Sequence, residues 1–120
     1  MDKDEKLAIK NAVNLYEQTG IGAYTTVQRL ADLYIGNGEK REELLKRIKD
    51  NERTERISIE LMFGREQVDW IMKLPRYESN KLIRQAGYIL ELAWLYLVSR
   101  LKNPRETRTS RDFIDDLVKD

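Results

Sequence analysis

Apolar residues recur at helical spacing along most of the chain. Between Ile9 and Tyr16 these residues are spaced three or four positions from one another, and the same spacing returns between Val27 and Tyr34. This period places apolar side chains on one face of an α-helix. The charged segment from Glu39 to Lys49 does not alternate as a strand would, so the turn Gly36-Asn37-Gly38 is interpreted as a link between helices rather than a hairpin.

Capping signals predict where the first helices begin. Asp2 is followed three positions later by Glu5, which resembles a capping box at the start of a helix over residues 3–19. Thr25 and Gln28 form a second such signature before the next apolar-periodic segment. The sequence therefore predicts two amphipathic helices before the Gly36 turn.

The middle of the chain predicts two further helical units. Residues 39–50 carry a narrow apolar stripe and mixed charge, which indicates a surface helix. Thr54 can cap the next unit, and Pro75 closes it. Gly64 can either end a helix there or bend it, so both alternatives stay open.

The longest predicted element is a helix over about residues 79–102, capped by Ser79 or Asn80 and stopped by Asn103-Pro104. It is apolar on almost every face around Trp94, so we expect a long apolar helix that forms the structural axis. Other helices or a second chain could cover it, which leaves homo-oligomerisation open.

These elements predict one all-α domain over residues 1–120, a small bundle of about five or six helices. Residues 103–120 are predicted to be a basic and acidic tail that could be mobile and that ends in a short helix from Ser110. The 120 residues fit one domain, and 41% apolar composition is enough for a core.

Composition excludes much of the common chemistry of enzymes. The chain has no His and no Cys, which removes imidazole acid-base catalysis, thiol nucleophiles, disulfides and the usual zinc ligand sets. Asp112, Asp115 and Asp116 have a spacing that could hold a hard cation, but a solvated helix face is the preferred interpretation. We therefore predict no catalytic, cofactor-binding or metal-ligating residue, and a protein that is not an enzyme.

Net charge and hydropathy limit the partners. The formal net charge is +1, so no overall field draws the molecule to nucleic acid or to an acidic membrane. The longest apolar run, from Ala86 to Val98, is interrupted by Glu91 and is shorter than the roughly 20 residues that cross a bilayer. With an acidic first segment that does not resemble a secretory signal, a cytoplasmic protein without a membrane partner is expected.

The strongest local charge asymmetry is a basic patch near the end of the chain. Within residues 100–111 there are five basic residues and only one acidic residue, Glu106. They are Arg100, Lys102, Arg105, Arg108 and Arg111. Such a patch could contact an acidic partner surface or nucleic acid.

Over about the last third of the chain, a helix bearing Trp94 precedes an Arg-, Thr- and Ser-rich segment over residues 107–111. This arrangement resembles the C-terminal helix-turn-helix of phage late-gene transcription regulators, and the resemblance implies duplex DNA binding. Two features depart from it. Residues 103–106 replace a tight turn of small residues, and the three Asp residues after Arg111 would repel phosphates if they faced the groove.

Aromatic residues beside the Leu74-Pro75 break are the candidate protein interface. Trp70 and Tyr77 are large, rigid side chains that desolvate much area at small entropic cost. Their expected rim is basic, formed by Arg65, Arg76 and Lys81. The leading hypothesis is a non-enzymatic regulator that binds a larger protein, as an inhibitor or adaptor of the kind that phages and mobile elements encode. DNA-binding transcriptional regulation is the alternative.

Overall fold

The computed structural model describes the backbone of residues 1–120 and all side chains except those of residues 54, 55 and 76–80. Over this part of the chain the predicted all-α class is confirmed, with seven helices and no strand. The helices are α1 (Lys3–Gln18), α2 (Ala23–Ile35), α3 (Gly38–Lys49), α4 (Thr54–Phe63), α5 (Arg65–Met72), α6 (Arg76–Lys102) and α7 (Ser110–Leu117).

The helix count exceeds the predicted five or six because Gly64 separates α4 from α5. Its φ of +94° lies in the region that favours glycine. The Gly64 N–H donates to the Glu60 carbonyl and closes the end of α4, and α5 restarts at the next residue. At Gly64 the helix therefore ends rather than bends.

Capping follows the prediction at α1 and departs from it at α2. The Asp2 Oδ1 atom accepts a hydrogen bond from the Glu5 N–H at 2.8 Å, as predicted. Helix α2 begins at Ala23 rather than after Thr25, because Glu17 of α1 takes over the capping. Its Oε1 atom accepts from the N–H groups of Ala23 at 2.9 Å and Tyr24 at 3.3 Å, which joins the two helices at their shared turn.

The predicted start of the longest helix is wrong by about one turn. Helix α6 begins at Arg76, directly after Pro75, and runs for 27 residues to Lys102. A proline before the first turn costs no helical hydrogen bond and fixes an extended entry, so the helix can start there. The caps predicted at Ser79 and Asn80 fall on side chains outside the described residues. For α4 the cap is Arg53, and the helix itself starts at Thr54.

Helix α6 is long but not apolar throughout. One face bears the exposed side chains Arg84, Glu91 and Lys102, whereas the opposite face is buried against α1, α2, α4 and α7. The prediction of an apolar helix is thus corrected to an amphipathic one, because charges recur at spacings of seven and eleven positions, which bring them to the same side of a helix. No described helix is both long and apolar enough to cross a membrane.

The core is one apolar cluster built around α6. Tyr16 of α1 is fully buried in it, and its hydroxyl donates to the Leu82 carbonyl of α6 at 3.4 Å. Burial raises the pKa of this phenol well above its usual value. Other fully buried members are Val27, Ile57, Ile59, Ile89, Leu92, Leu97 and Ile114.

Residues 103–120 pack on the bundle through α7. Thr109 caps this helix, and Phe113 and Ile114 are buried against the core. The buried Ser110 joins α7 to α2, because its Oγ donates to the Tyr24 carbonyl at 2.8 Å and its N–H donates to Gln28 Oε1 at 2.9 Å. The amide of Gln28, predicted to cap α2, therefore holds α7 instead.

Candidate functional site

The most exposed large apolar side chain in the described part of the chain is Trp70, which is 62% exposed on α5. Its helix is docked by Val68 and Ile71, which are both buried. An indole on a fixed helix presents a large rigid area without the entropic cost of ordering a loop. Trp70 therefore presents a large, rigid apolar area to solvent.

The basic residues predicted to surround Trp70 do not all share its side of α5. Arg65 precedes Trp70 by five positions, which is about 140° around the helix axis. The Arg65 side chain is 87% exposed, and its Nη2 lies 3.4 Å from Glu60 Oε1 at the junction with α4. Lys81 is exposed on α6, and the side chains of Arg76 and Tyr77 lie outside the described residues.

Close to Trp70 the charges are mixed. Asp69 is paired with Arg56 of α4 through Nη2 and Oδ1 at 3.4 Å. Glu66 and Lys73, which lie within one helical turn of Trp70, are both exposed. Among the described side chains, the indole is therefore bordered by both signs of charge, and the basic rim that includes Arg76 stays a prediction.

A polar cluster that the sequence did not predict joins α3 to α4. The Arg47 guanidinium donates to Glu52 Oε1 and to Glu60 Oε2, each at 2.7 Å. These hydrogen bonds hold the pKa of both carboxyl groups below the usual value. No sequence signal could reveal it, because Arg47 and Glu60 lie 13 positions apart on different helices.

A cavity of about 210 Å³ opens beside this cluster. Its wall combines apolar residues with the charged groups above, and it is lined by Leu33, Tyr34, Lys40, Glu43, Leu44, Arg47, Glu60, Leu61 and Arg65. The central Arg47 donates to Glu52 in the loop and to Glu60 of α4, so it links α3 to both.

Two of the five members of the basic patch are neutralised by carboxylates. Arg100 forms a hydrogen-bonded ion pair with Asp32 of α2. Arg108 binds Glu106 through two parallel bonds, Nε to Oε1 at 3.0 Å and Nη2 to Oε2 at 2.9 Å, and also reaches Asp116 at 3.2 Å. These bonds lower the pKa of Glu106 to about 2. The patch is therefore less basic than its composition suggests.

The other three members, Lys102, Arg105 and Arg111, are exposed. The Arg111 guanidinium carbon lies 4.3 Å from the centroid of the Tyr24 ring, a cation–π arrangement. The Tyr24 hydroxyl in turn donates to Asp115 Oδ1 at 3.2 Å. This basic segment thus borders acidic side chains along α7.

The carboxylates of α7 do not assemble a cation site. Asp115 accepts from Tyr24, and Asp116 is paired with Arg108, so the two have separate partners. Among the side chains that the structure describes, no group of three or more candidate metal ligands lies together.

No protein-family model, curated protein or solved structure matches the chain. The described surface offers an exposed indole, paired charges and a cavity of about 210 Å³ whose wall mixes polar and apolar groups.

Proposed function

We propose that this protein is a small non-enzymatic helical regulator that binds a larger protein, as an inhibitor or adaptor of the kind that phages and mobile elements encode. The observation that supports it best is the 62% exposure of Trp70 on a helix whose opposite side is anchored in the core. Tryptophan is among the residues that contribute most to binding when a partner pocket encloses it.

The proposed mechanism is occupation of a partner's surface. Trp70 enters an apolar pocket, and the exposed charges beside it, Glu66 and Lys73, form the rim. A regulator of this type acts by differential affinity for one state of its target, so it needs no catalytic group. The proposed cellular location is the cytoplasm.

The test compares Trp70→Ala with Leu7→Ala in affinity capture from the native host followed by mass spectrometry. Leu7 is a matched control because it is a large apolar side chain with 55% exposure on a different helix, α1. We expect Trp70→Ala to lose a captured protein that the wild type and Leu7→Ala both retain. The affinity should fall by roughly 30-fold or more, as for a typical hot-spot residue. Equal capture by both variants would remove the Trp70 surface from the proposal.

The second candidate function is duplex DNA binding through residues 100–119. It is favoured by the exposure of Lys102, Arg105 and Arg111, none of which has a carboxylate partner among the described side chains. The exposed Asp112, which follows Arg111 on α7, argues against DNA binding because its carboxylate would repel phosphates.

The two functions differ in their dependence on salt. Binding through phosphate contacts weakens steeply as salt rises, whereas anchoring by an indole does not. Fluorescence anisotropy with a labelled duplex at low salt would test the second candidate. Binding that is lost in the double variant Lys102→Ala, Arg105→Ala would support it, and no binding at low salt would exclude it.

A further inference from the structure

Among the charges on the outward face of α6, Arg84 and Glu91 have no ion-pair partner among the described side chains. Arg84 and Glu91 are both exposed, and they lie seven positions apart, so two helical turns separate them on the same face. The helix positions three and four away from Glu91 hold Gly87, Tyr88, Trp94 and Leu95. Its own helix therefore offers Glu91 no basic neighbour.

Gly87 lies between these two charges on the same side of α6. A glycine in a helix interior costs about 0.5–1 kcal/mol relative to alanine. A Cβ atom at this position would meet nothing within 4 Å, so packing inside the chain does not require glycine. A glycine on a helix surface does allow a second backbone to approach closely.

Apolar side chains continue this face toward the end of α6. Val98 is only partly covered, and it lies seven positions beyond Glu91 on the same face. Leu101 lies ten positions beyond Glu91, about 80° around the helix axis, so its side chain, which is 45% exposed, borders this face rather than lying on it. This face thus combines an unpaired ionic centre with an apolar flank.

We propose that α6 pairs with α6 of a second copy of this chain, in antiparallel orientation about a two-fold axis that passes beside Gly87. The midpoint of positions 84 and 91 falls between Gly87 and Tyr88. In that register Arg84 lies opposite Glu91 of the partner subunit, and the two-fold axis generates the same pair a second time. Gly87 lies at the crossing, where the two backbones are closest.

Charge complementarity is the argument for a second copy. Two charges of opposite sign, placed symmetrically about the midpoint between Gly87 and Tyr88, complement the same surface after a two-fold rotation. A parallel pairing in register would instead set Arg84 against Arg84 and Glu91 against Glu91, which is repulsive. The antiparallel arrangement is therefore the one that the sequence of this face favours.

Reversing the charges at positions 84 and 91 tests the proposal. Sedimentation velocity over a range of concentrations should show a dimer for the wild-type chain. We expect Arg84→Glu and Glu91→Arg each to raise the dimer dissociation constant at least about tenfold, because two attractive contacts become repulsive. An equimolar mixture of the two variants should dimerise, since the carboxylate introduced at position 84 of one chain then meets the guanidinium introduced at position 91 of the other. The variant that carries both substitutions should dimerise alone.

Two further variants make the result specific. Lys46→Glu, at an exposed position on α3, makes the same charge change away from this face and should leave the dimer intact. Gly87→Gln should yield a monomer of unchanged helical content, because the new side chain meets open space in its own chain. A wild-type chain that is monomeric at every concentration would overturn the proposal. So would a dimer that survives both single charge changes.

Discussion

Arg47, Arg100 and Arg108 each bind carboxylates that lie on another element or in a loop. At the scale of single residues, this pairing determines which charges remain available to a partner. The guanidinium can satisfy two acceptors at once, and Arg47 and Arg108 both do so. The composition of a segment is therefore a poor guide to the charge that it presents.

The Arg108–Glu106 pair predicts a pH dependence of stability. The folded pKa of Glu106 is about 2, below its ordinary value of 4.5, so its stabilising contribution is present above about pH 4.5 and is lost as the pH falls toward 2. The melting temperature of Glu106→Gln should therefore fall less than that of the wild type as the pH is lowered from about 4.5 to about 2. Thermal melts followed by circular dichroism would measure this. Glu42→Gln, at an exposed position of α3, is the control and should follow the wild-type curve.

Local contacts could be predicted from the sequence, whereas contacts between elements could not. The Asp2 cap was predictable because its acceptor and donor lie three positions apart. The bond from Ser110 to Gln28 was not, because 82 positions separate the two residues. The same limit applies to the candidate site: the exposure of Trp70 depends on how α5 docks, and periodicity does not give that orientation.

At the scale of elements, two glycines have opposite roles. Gly64 ends α4 with a φ of +94°, whereas Gly87 lies inside α6 without a positive φ. The sequence predicted both helical regions from their period, but it left the break at Gly64 open because an apolar pattern can continue across either an end or a bend. The start of α6 was mispredicted because Pro75, rather than a polar cap, precedes it.

The same substitution should therefore have opposite effects at these two positions. Gly87→Ala should stabilise the monomer by about 0.5–1 kcal/mol through helix propensity. Gly64→Ala should destabilise it by about 1 kcal/mol or more, because alanine is strained at positive φ. Urea denaturation at low protein concentration measures both changes. Equal shifts of the same sign would contradict the assignment of Gly64 as the helix end.

At the scale of the whole molecule, the helices differ in how firmly they are held. Helix α3 buries only Leu44 of its fully described residues, and its other attachments are polar. The Arg41 Nη1 atom donates to the carbonyl groups of Tyr34 and Ile35, at 2.7 and 2.8 Å, and Arg47 reaches Glu60. By contrast, α6 places seven residues of its 86–97 segment in the core. Local opening should therefore occur at α3 before the rest of the bundle unfolds.

Hydrogen exchange followed by mass spectrometry should detect this difference. Peptides from residues 38–49 are expected to exchange at least about tenfold faster than those from residues 86–97, because few apolar contacts resist local opening of α3. Glu60→Gln should increase exchange in α3 further by weakening the Arg47 contact. Uniform protection of both segments would show that α3 opens only with global unfolding.

The length of α6 has a consequence for shortened forms of the protein. At about 1.5 Å per residue its 27 residues extend for about 40 Å, close to the 43 Å longest dimension of the molecule. Helices from both ends of the chain rest on it, so a fragment cut on either side leaves apolar surface of the remainder uncovered. Deletions that remove α1 or α7 should therefore impair folding, so point substitutions are the way to separate one surface of this molecule from another.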